Sequence, residues 1–383
     1  MTIRPSIATA VFLLIFSCGQ QDVTPSESKP PVAQHWSDIP EASRTQLIGS
    51  PLNLSTRLPI GVAWDMDLCQ GKYLLISELP GKDSLVAVVD IERKAVVGYL
   101  TSQGNDPSSI NHINDVLCSG TDIYLVDAND YSLYECADCD LIAELPLDVE
   151  AKMDRFSLNG ALVSSALSLG EGRIAAVPMG PTTNSYDTRF TVYEDTVQKG
   201  VGPMPAAVDA ASKRPIDSVI LRSAYEVTST LSPGAANLYI YLTYKYGSIL
   251  EAYDSELKRQ WIYVAPDAFD PAVAVNDMGG GNYARAFLQD ETRLAFTSVT
   301  ASNKYVYALY GGIYSSPSPS PPALQVEEPH RMVIRIDAKT GKLDRVFELS
   351  APAMRIAVTP DDRMLISSLV PVDWEGFMTF NLE

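Results

Sequence analysis

The sequence predicts an all-β fold: a six-bladed β-propeller with four antiparallel strands per blade, closed by an N-terminal strand. One observation is a repeat of apolar strand, polar turn and apolar strand, with units spaced by roughly 45 to 65 residues against a usual blade period of about 40 to 50. A second observation is that helical periodicity is nearly absent. The six units lie at residues 64–77, 113–127, 166–178, 229–244, 296–310 and 356–369. The alternative, two β-sandwich domains, would not explain a repeat of blade length that continues to the C-terminus.

The first residues of the 383-residue chain predict an export signal. Arg4 gives the positive start, and the apolar run of residues 7–16 is about half of the roughly 20 residues that a membrane-spanning helix needs. Small Ser17 then precedes Cys18, an order similar to a bacterial lipobox, in which the cysteine is acylated and becomes the first mature residue. We therefore expect residues 1–17 to be a lipoprotein signal peptide and Cys18 to carry a lipid such as palmitate. The alternative is an ordinary cleaved secretory signal with an incidental cysteine.

The sequence after the signal divides into a linker and one folded unit. Residues 18–43 contain several prolines and few large apolar side chains, which predicts a flexible tether. Residues 44–383 are assigned to the propeller. The net charge of −18 argues against nucleic acid as a partner and against electrostatic adhesion to anionic lipid.

A second hairpin in each unit completes the predicted blade. Segments such as 85–100 and 332–349 read as two strands joined by a turn, and an inner plus an outer hairpin gives four strands. The last unit ends one strand short, which would leave unpaired backbone groups at its edge. We therefore expect residues within 45–54 to pair antiparallel with residues 376–382 and to complete the sixth blade.

The remaining cysteines are too few for a disulfide-dense framework. Cys136 and Cys139 flank an expected hairpin turn, so we interpret them as a structural pair and a candidate disulfide. We expect Cys69 and Cys118 to lie too far apart to bond, because they occupy equivalent positions in different blades.

Two other interpretations of the pair Cys136 and Cys139 are a redox motif and half of a zinc site. A redox pair favours a helix N-terminus, whereas the flanking residues resemble strands. A tetrahedral zinc site needs two further ligands, and the chain has only three histidines, at positions 35, 112 and 330. We therefore expect no metal here.

Several segments resemble the TolB-like six-bladed propeller lipoproteins of Bacteroides-type bacteria. The segments that carry the resemblance are residues 47–58, 98–110, 305–312 and 335–367, with Gly104 and Pro107 matching the skeleton of a Gly-Gly-Pro loop. The resemblance implies a propeller fold and a location in the cell envelope, attached to the outer membrane by the lipid. It brings no catalytic residues with it.

An enzymatic alternative is a calcium-dependent, lactonase-like propeller hydrolase. Such a site would place acidic and amide side chains at the channel mouth, and the candidate ligands are Asp67, Asn114, Asp115 and Asn159. The competing interpretation is that Asp and Asn at strand ends form turns. The chain has no Gly-x-Ser-x-Gly elbow, and only His112 is a candidate general base.

The binding interpretation rests on tyrosine-rich strands. Residues 239–246 and 305–314 each carry four tyrosines, whose large area and polar tip suit protein or glycan surfaces. The alternative is that these tyrosines pack between blades, as tyrosine does in strands. The sequence therefore predicts a non-catalytic binding or scaffold module without a cofactor, held on a membrane by its lipid anchor, with a protein or glycan partner.

Overall fold

The structure is a computed structural model, and it describes the greater part of the chain after the tether. The described residues are 36, 39–55, 65–77, 84–101, 110, 113–127, 131–141, 145–178, 188–194, 197–209, 212–216, 221, 224–225, 240–279, 282–287, 292–314, 330–368 and 376–383. The predicted signal peptide, Cys18 and His112 lie outside these residues.

The described strands form the six blades of a β-propeller, and most blades are four-stranded antiparallel sheets. Blade one consists of β3 (Asp65–Cys69), β4 (Tyr73–Ser77), β5 (Ser84–Asp90) and β6 (Ala95–Thr101). Blade two consists of β7 (Asp115–Ser119), β8 (Asp122–Asp127), β9 (Ser132–Cys136) and β11 (Asp154–Ser157). Blade three consists of β12 (Val163–Gly170), β13 (Arg173–Pro178), β14 (Thr188–Glu194) and β15 (Val197–Pro203). The predicted fold class is confirmed.

The second half of the ring follows the same plan. Its strands are β16 (Ile240–Tyr244), β17 (Gly247–Tyr253) and β18 (Arg259–Val264) in blade four; β21 (Arg293–Ala301), β22 (Tyr305–Tyr314), β23 (His330–Asp337) and β24 (Leu343–Ala353) in blade five; and β25 (Arg355–Val358), β26 (Met364–Ser368) and β27 (Phe377–Asn381) in blade six. A hairpin of β19 (Val273–Gly279) and β20 (Asn282–Phe287) lies between blades four and five in the sequence.

Short strands at the blade edges extend three of the sheets. They are β1 (Arg44–Leu47), β2 (Ser50–Pro51) and β10 (Leu147–Asp148); a 3-10 turn (Glu41–Ser43) precedes β1, and helix α1 (Val149–Lys152) follows β10. β10 lies parallel to β6 and β1 lies parallel to β24, so blades one and five each have a fifth strand. These parallel strands cover edges that would otherwise expose backbone groups.

The N-terminal strand closes the ring as the sequence predicts. β2 pairs antiparallel with β27, with Ser50 opposite Thr379, and the Leu52 N–H donates to the Phe377 carbonyl over 2.9 Å. The closing strand is shorter than expected because β1 has already paired with blade five. Gly49 joins the two strands where an added Cβ would lie 2.6 Å from the Phe380 ring, so only glycine fits this close approach.

The apolar core runs between the blades. Each buried cluster contains side chains of at least two neighbouring blades, so blades pack face to face around the ring. Met66 of blade one, for example, shares a cluster with Ile366 and Phe377 of blade six. Burial of this apolar surface is the main force that holds the blades together.

The first described residues belong to the stretch that we expected to be a tether. Ile39 is buried, and Trp36 packs against the cluster of blades four and five. The boundary between tether and propeller stays a prediction, since the residues before Trp36 lie outside the described part. No helix in the described residues is long and apolar enough to cross a membrane.

Candidate functional site

A chain of polar side chains crosses the inner strands of four blades. Asp65, the first residue of β3, accepts a hydrogen bond from the Val116 N–H of blade two over 3.0 Å. Its other carboxylate oxygen lies 3.8 Å from Nε of Arg355 in blade six. On β7, the Asp115 carboxyl accepts a hydrogen bond from Ser165 of blade three. We call Asp65, Asp67, Asp115, Ser165 and Arg355 the channel cluster.

Asp67 extends the channel cluster along β3. Its Oδ2 accepts a hydrogen bond from the Cys118 N–H over 2.8 Å, and its Oδ1 accepts one from the Leu68 N–H over 2.8 Å. Oδ2 therefore serves the contact between blades one and two, while Oδ1 bonds within β3 of blade one.

Burial changes the ionisation of the channel carboxyls. It raises the pKa of Asp67 to about 7, although two backbone hydrogen bonds act in the opposite direction. Burial also raises the pKa of Asp65, against the nearby charge of Arg355. The pKa of Asp115 lies well above its usual value because of burial and the neighbouring charge of Asp65. Burial therefore favours the neutral form of these carboxyls.

The four calcium candidates do not come together as one site. Asp67 and Asp115 lie on neighbouring inner strands and are bonded as described. Asn114 precedes β7, where its N–H donates to the Val126 carbonyl over 2.8 Å. Asn159 lies in an exposed turn with φ of 51°. It therefore acts as a turn residue, as the alternative interpretation of these Asp and Asn residues expects. Among the described residues, no group of three or more His, Cys, Asp or Glu side chains is arranged to hold a metal ion.

The expectation that Cys69 and Cys118 are too far apart is wrong. The two cysteines form a disulfide, with Cα atoms 5.3 Å apart. Both lie near the ends of inner strands, and neighbouring inner strands converge toward the axis, so equivalent positions meet there. Cys136 and Cys139 are also bonded, with Cα atoms 5.4 Å apart, within the range of roughly 4.4 to 6.8 Å that a bridge requires.

A separate ionic cluster lies between blades three and four. Glu251 is fully buried, and its Oε1 accepts from Arg189 over 2.8 Å and from Arg259 over 3.0 Å. The hydroxyls of Tyr244 and Tyr253 donate to its Oε2 over 2.6 and 2.9 Å. Burial acts to raise the pKa of Glu251, but Arg189 and these hydrogen bonds hold it below its usual value. With both oxygens occupied, Glu251 ties two blades together.

A cavity of about 810 Å³ lies at the outer rim of blade five, between that blade and the N-terminal segment. We call it the rim cavity. Its lining consists of Trp36, Ile39, Glu41, Arg44, Thr45, Gln46, Tyr310, Gly311, His330, Arg331, Met332, Val346 and Glu348. Its volume is within the range of about 300 to 1,000 Å³ that is typical of ligand pockets.

The strand register explains how these side chains meet. Four residues on neighbouring strands lie opposite one another in a row. In order, they are Gln46 on β1, Glu348 on β24, Met332 on β23 and Tyr310 on β22. Cross-strand partners share a face, so this row lines one side of the blade. Gly311 leaves room for the buried imidazole of His330, since an added Cβ would lie 2.5 Å from its Cε1.

Most of the described tyrosines in the two tyrosine-rich strands are buried. Buried tyrosines, each at most 8% exposed, are Tyr241, Tyr244, Tyr246, Tyr307 and Tyr310. Their burial agrees with the packing interpretation, and Tyr310 also borders the rim cavity. Tyr239 lies outside the described residues.

Sequence reasoning missed several residues of both sites. Asp65, Ser165 and Arg355 resemble ordinary strand residues in the sequence, because nothing local shows which residue of the neighbouring blade lies beside each of them. Trp36 did carry a signal: it is a single large aromatic residue in an otherwise polar stretch. Such a residue in an expected tether indicates a docking point on the folded domain.

Comparison with known proteins gives a likeness of fold. No protein-family model matches the chain, and no curated protein sequence matches it. Among solved structures, the β-propeller domain of Cps50 (Swd1) from Myceliophteria thermophila is similar at 12% identity and a TM-score of 0.43, covering 86% of this chain and 99% of that one. The WD40 domain of Pan2 from Neurospora crassa is similar at 8% identity and a TM-score of 0.42, covering 88% and 95%.

Proposed function

We propose that this chain is an exported lipoprotein of the cell envelope that acts as a non-catalytic binding or scaffold module. In this proposal it belongs with the TolB-like propellers, and an acyl group on Cys18 attaches it to the outer membrane. The six-bladed propeller fold fits a binding or scaffold module, and the remaining parts of the proposal rest on the arguments below.

The observation that carries the non-catalytic role is the use of the channel carboxyls. Asp65, Asp67 and Asp115 accept hydrogen bonds from the neighbouring blade or are linked to it through a serine. A general base or a metal ligand directs a carboxylate lone pair toward substrate or ion, whereas the bonds described here are directed toward other residues of the ring. These side chains hold blades together, so the calcium-dependent hydrolase gains no support.

The disulfides support export. Two bonded pairs, Cys69 with Cys118 and Cys136 with Cys139, lie within the first two blades. Disulfides persist in oxidising compartments and are rare in reducing ones. This agrees with the apolar run that precedes Cys18.

The position of the N-terminal segment supports a module that is anchored at its rim. β1 and β2 lie on the outer edges of blades five and six, so the chain enters the propeller from its side. An anchor at this side leaves the two faces of the ring and the rim cavity accessible to a partner.

The anchor is tested by substituting Cys18→Ser in the full-length chain. We expect the wild-type protein in the membrane fraction with a mature mass that includes acyl chains, and the variant either released or left uncleaved. A matched control is Cys136→Ala, which removes a different cysteine and should fractionate as the wild type does. Identical fractionation and mass for Cys18→Ser would refute the lipid anchor.

A further inference from the structure

The rim cavity has one aromatic wall. The ring of Trp36 lies 5.1 Å from that of Tyr310, at an angle of 47°. Tyr310 is held firmly, because it is 1% exposed and its hydroxyl donates to Asp267, which also binds Arg293. Trp36 is partly exposed, so it combines a fixed support with a surface that a ligand ring can contact.

The polar part of the lining is balanced in charge. Arg44 and Arg331 contribute two guanidinium groups, and Glu41 and Glu348 contribute two carboxylates. Arg331 is oriented by a hydrogen bond of 2.6 Å from its Nη1 to the Ser350 carbonyl. Because the formal charges cancel, the cavity offers no net attraction to an ionised ligand.

The donors and acceptors of this lining suit hydroxyl groups. Guanidinium groups only donate hydrogen bonds and carboxylates only accept them, while Thr45 and Gln46 do both. A hydroxyl both donates and accepts, so a ring that carries several hydroxyls can satisfy both kinds of group. The C–H face of such a ring would pack on Trp36.

We propose that the rim cavity binds a neutral saccharide, with one sugar ring against Trp36 and its hydroxyls bonded to the side chains of the cavity wall. This inference rests on the proposed binding function and names its ligand class. The cavity lies beside the N-terminal segment, so the bound saccharide sits close to the side of the propeller that carries the anchor.

The test uses the purified full-length chain in detergent and a printed array of oligosaccharides. The neutral probes are hexasaccharides of glucose, mannose, galactose and xylose, and the charged probes are sulfated and uronic-acid oligosaccharides. We expect binding to at least one neutral probe, measured again by isothermal titration calorimetry, with a dissociation constant that changes little between low and high salt. Trp36→Ala should weaken that binding about tenfold or more.

Two further variants keep the test decisive. Gln46→Ala alters an exposed side chain of the cavity, so it tests the site even where Trp36→Ala does not fold. Tyr131→Asn is the control, because it removes an exposed aromatic residue of blade two that lies outside the cavity. Asparagine tolerates the φ of 51° found at this position. We expect Gln46→Ala to weaken the binding and Tyr131→Asn to leave it unchanged.

Three results would overturn the proposal: no binding to any neutral probe by the folded protein, tighter and salt-dependent binding to a charged probe, or equal binding by wild type, Trp36→Ala and Gln46→Ala. The anchoring experiment on Cys18 has a separate readout. Membrane attachment without saccharide binding would remove the ligand class alone. Saccharide binding without attachment would remove the lipoprotein proposal and leave the site in place.

Discussion

The contact between blades one and two differs in kind from that between blades four and five. Near the axis, blades one and two are joined by carboxyl-to-backbone hydrogen bonds from Asp65 and Asp67 and by the bridge from Cys69 to Cys118. Blades four and five share an aromatic cluster that includes Trp261. We call these the polar seam and the aromatic seam.

Hydrogen bonds to backbone carbonyls also join the two blades of the aromatic seam. The indole N–H of Trp261 donates to the Ala338 carbonyl of the next blade over 2.8 Å, and the Ala295 N–H donates to the Lys245 carbonyl over 2.7 Å. In both of these bonds the acceptor is a neutral carbonyl, whereas the bonds of the polar seam end on carboxyls. The comparison shows that one fold closes its blade contacts by two different means, and only the polar seam combines buried carboxyls of raised pKa with a disulfide.

The largest effect should come from removing the bridge of the polar seam. The double substitution Cys69→Ala with Cys118→Ala releases a loop of 49 residues. Loop-closure entropy then predicts a loss of about 4 kcal/mol in the free energy of unfolding. Urea or guanidinium unfolding at equilibrium measures this loss.

The second disulfide provides a matched control. The double substitution Cys136→Ala with Cys139→Ala removes a bridge that spans 3 positions within one blade. For so short a loop, loop-closure entropy predicts a loss of about 2 kcal/mol in the free energy of unfolding. Equal losses from the two double variants would show that the bridge between blades has no special role in the polar seam.

A pH profile should separate the two seams. The pKa of Asp67 is raised in the folded state to about 7 by burial, so between about pH 4 and pH 7 the folded state binds more protons than the unfolded state. Stability should therefore be greatest below pH 4 for this group and fall as pH rises toward 7, by at most about 1.4 kcal/mol per pH unit. The raised pKa values of Asp65 and Asp115 act in the same direction.

Two variants assign the slope to its source. Asp67→Asn removes one titrating group while keeping an oxygen for the Cys118 N–H. The unfolding free energy should therefore fall less steeply between pH 4 and pH 7, and Asp65 and Asp115 account for the slope that remains. Trp261→Phe in the aromatic seam should lower stability by about 1 kcal/mol at every pH. The lowered pKa of Glu251 acts in the opposite direction, because the stability it contributes is lost as pH falls through its usual value, so it affects only the lower end of this window, below about pH 5. A wild-type profile that is flat or rises from pH 4 to pH 7 would refute the argument.

The sequence predicted the fold because its signals are local. Strand, turn and strand recur at a blade period, and the missing last strand indicated that β2 would close the ring. The prediction that Cys69 and Cys118 lie too far apart to bond was wrong, because the repeat indicates only the position of a residue within its blade. The distance between residues of two blades depends on how closely the inner strands approach one another near the axis.

The sites were harder to predict for the same reason. The acidic residues Asp67 and Asp115 were found, yet their partners are a backbone N–H and a serine of the next blade, which no spacing reveals. The rim cavity joins residues such as Arg44 and Arg331, which lie far apart in the chain. A cavity formed by the closing segment becomes visible only after the ring is closed.

The last prediction concerns the seam between blades five and six, where a neutral hydroxyl accepts a backbone N–H of the next blade, as the Asp65 carboxyl does in the polar seam. Ser298 Oγ accepts a hydrogen bond from the Ile356 N–H over 3.2 Å, and both residues are buried. Ser298→Ala should lower the free energy of unfolding by about 1 to 3 kcal/mol, because it leaves that N–H without its acceptor. Unlike Asp67→Asn, it should leave the slope of stability against pH unchanged.

The control for this last substitution is Ser168→Ala on β12. There the hydroxyl accepts the Gly170 N–H over 3.2 Å in an exposed turn, where water replaces the lost bond, so the change should stay within about 0.5 kcal/mol. A similar, small loss from both variants would mean that water reaches Ile356 between blades five and six. The hydrogen bonds between inner strands would then matter for stability in the polar seam alone, where a carboxyl and a disulfide act together.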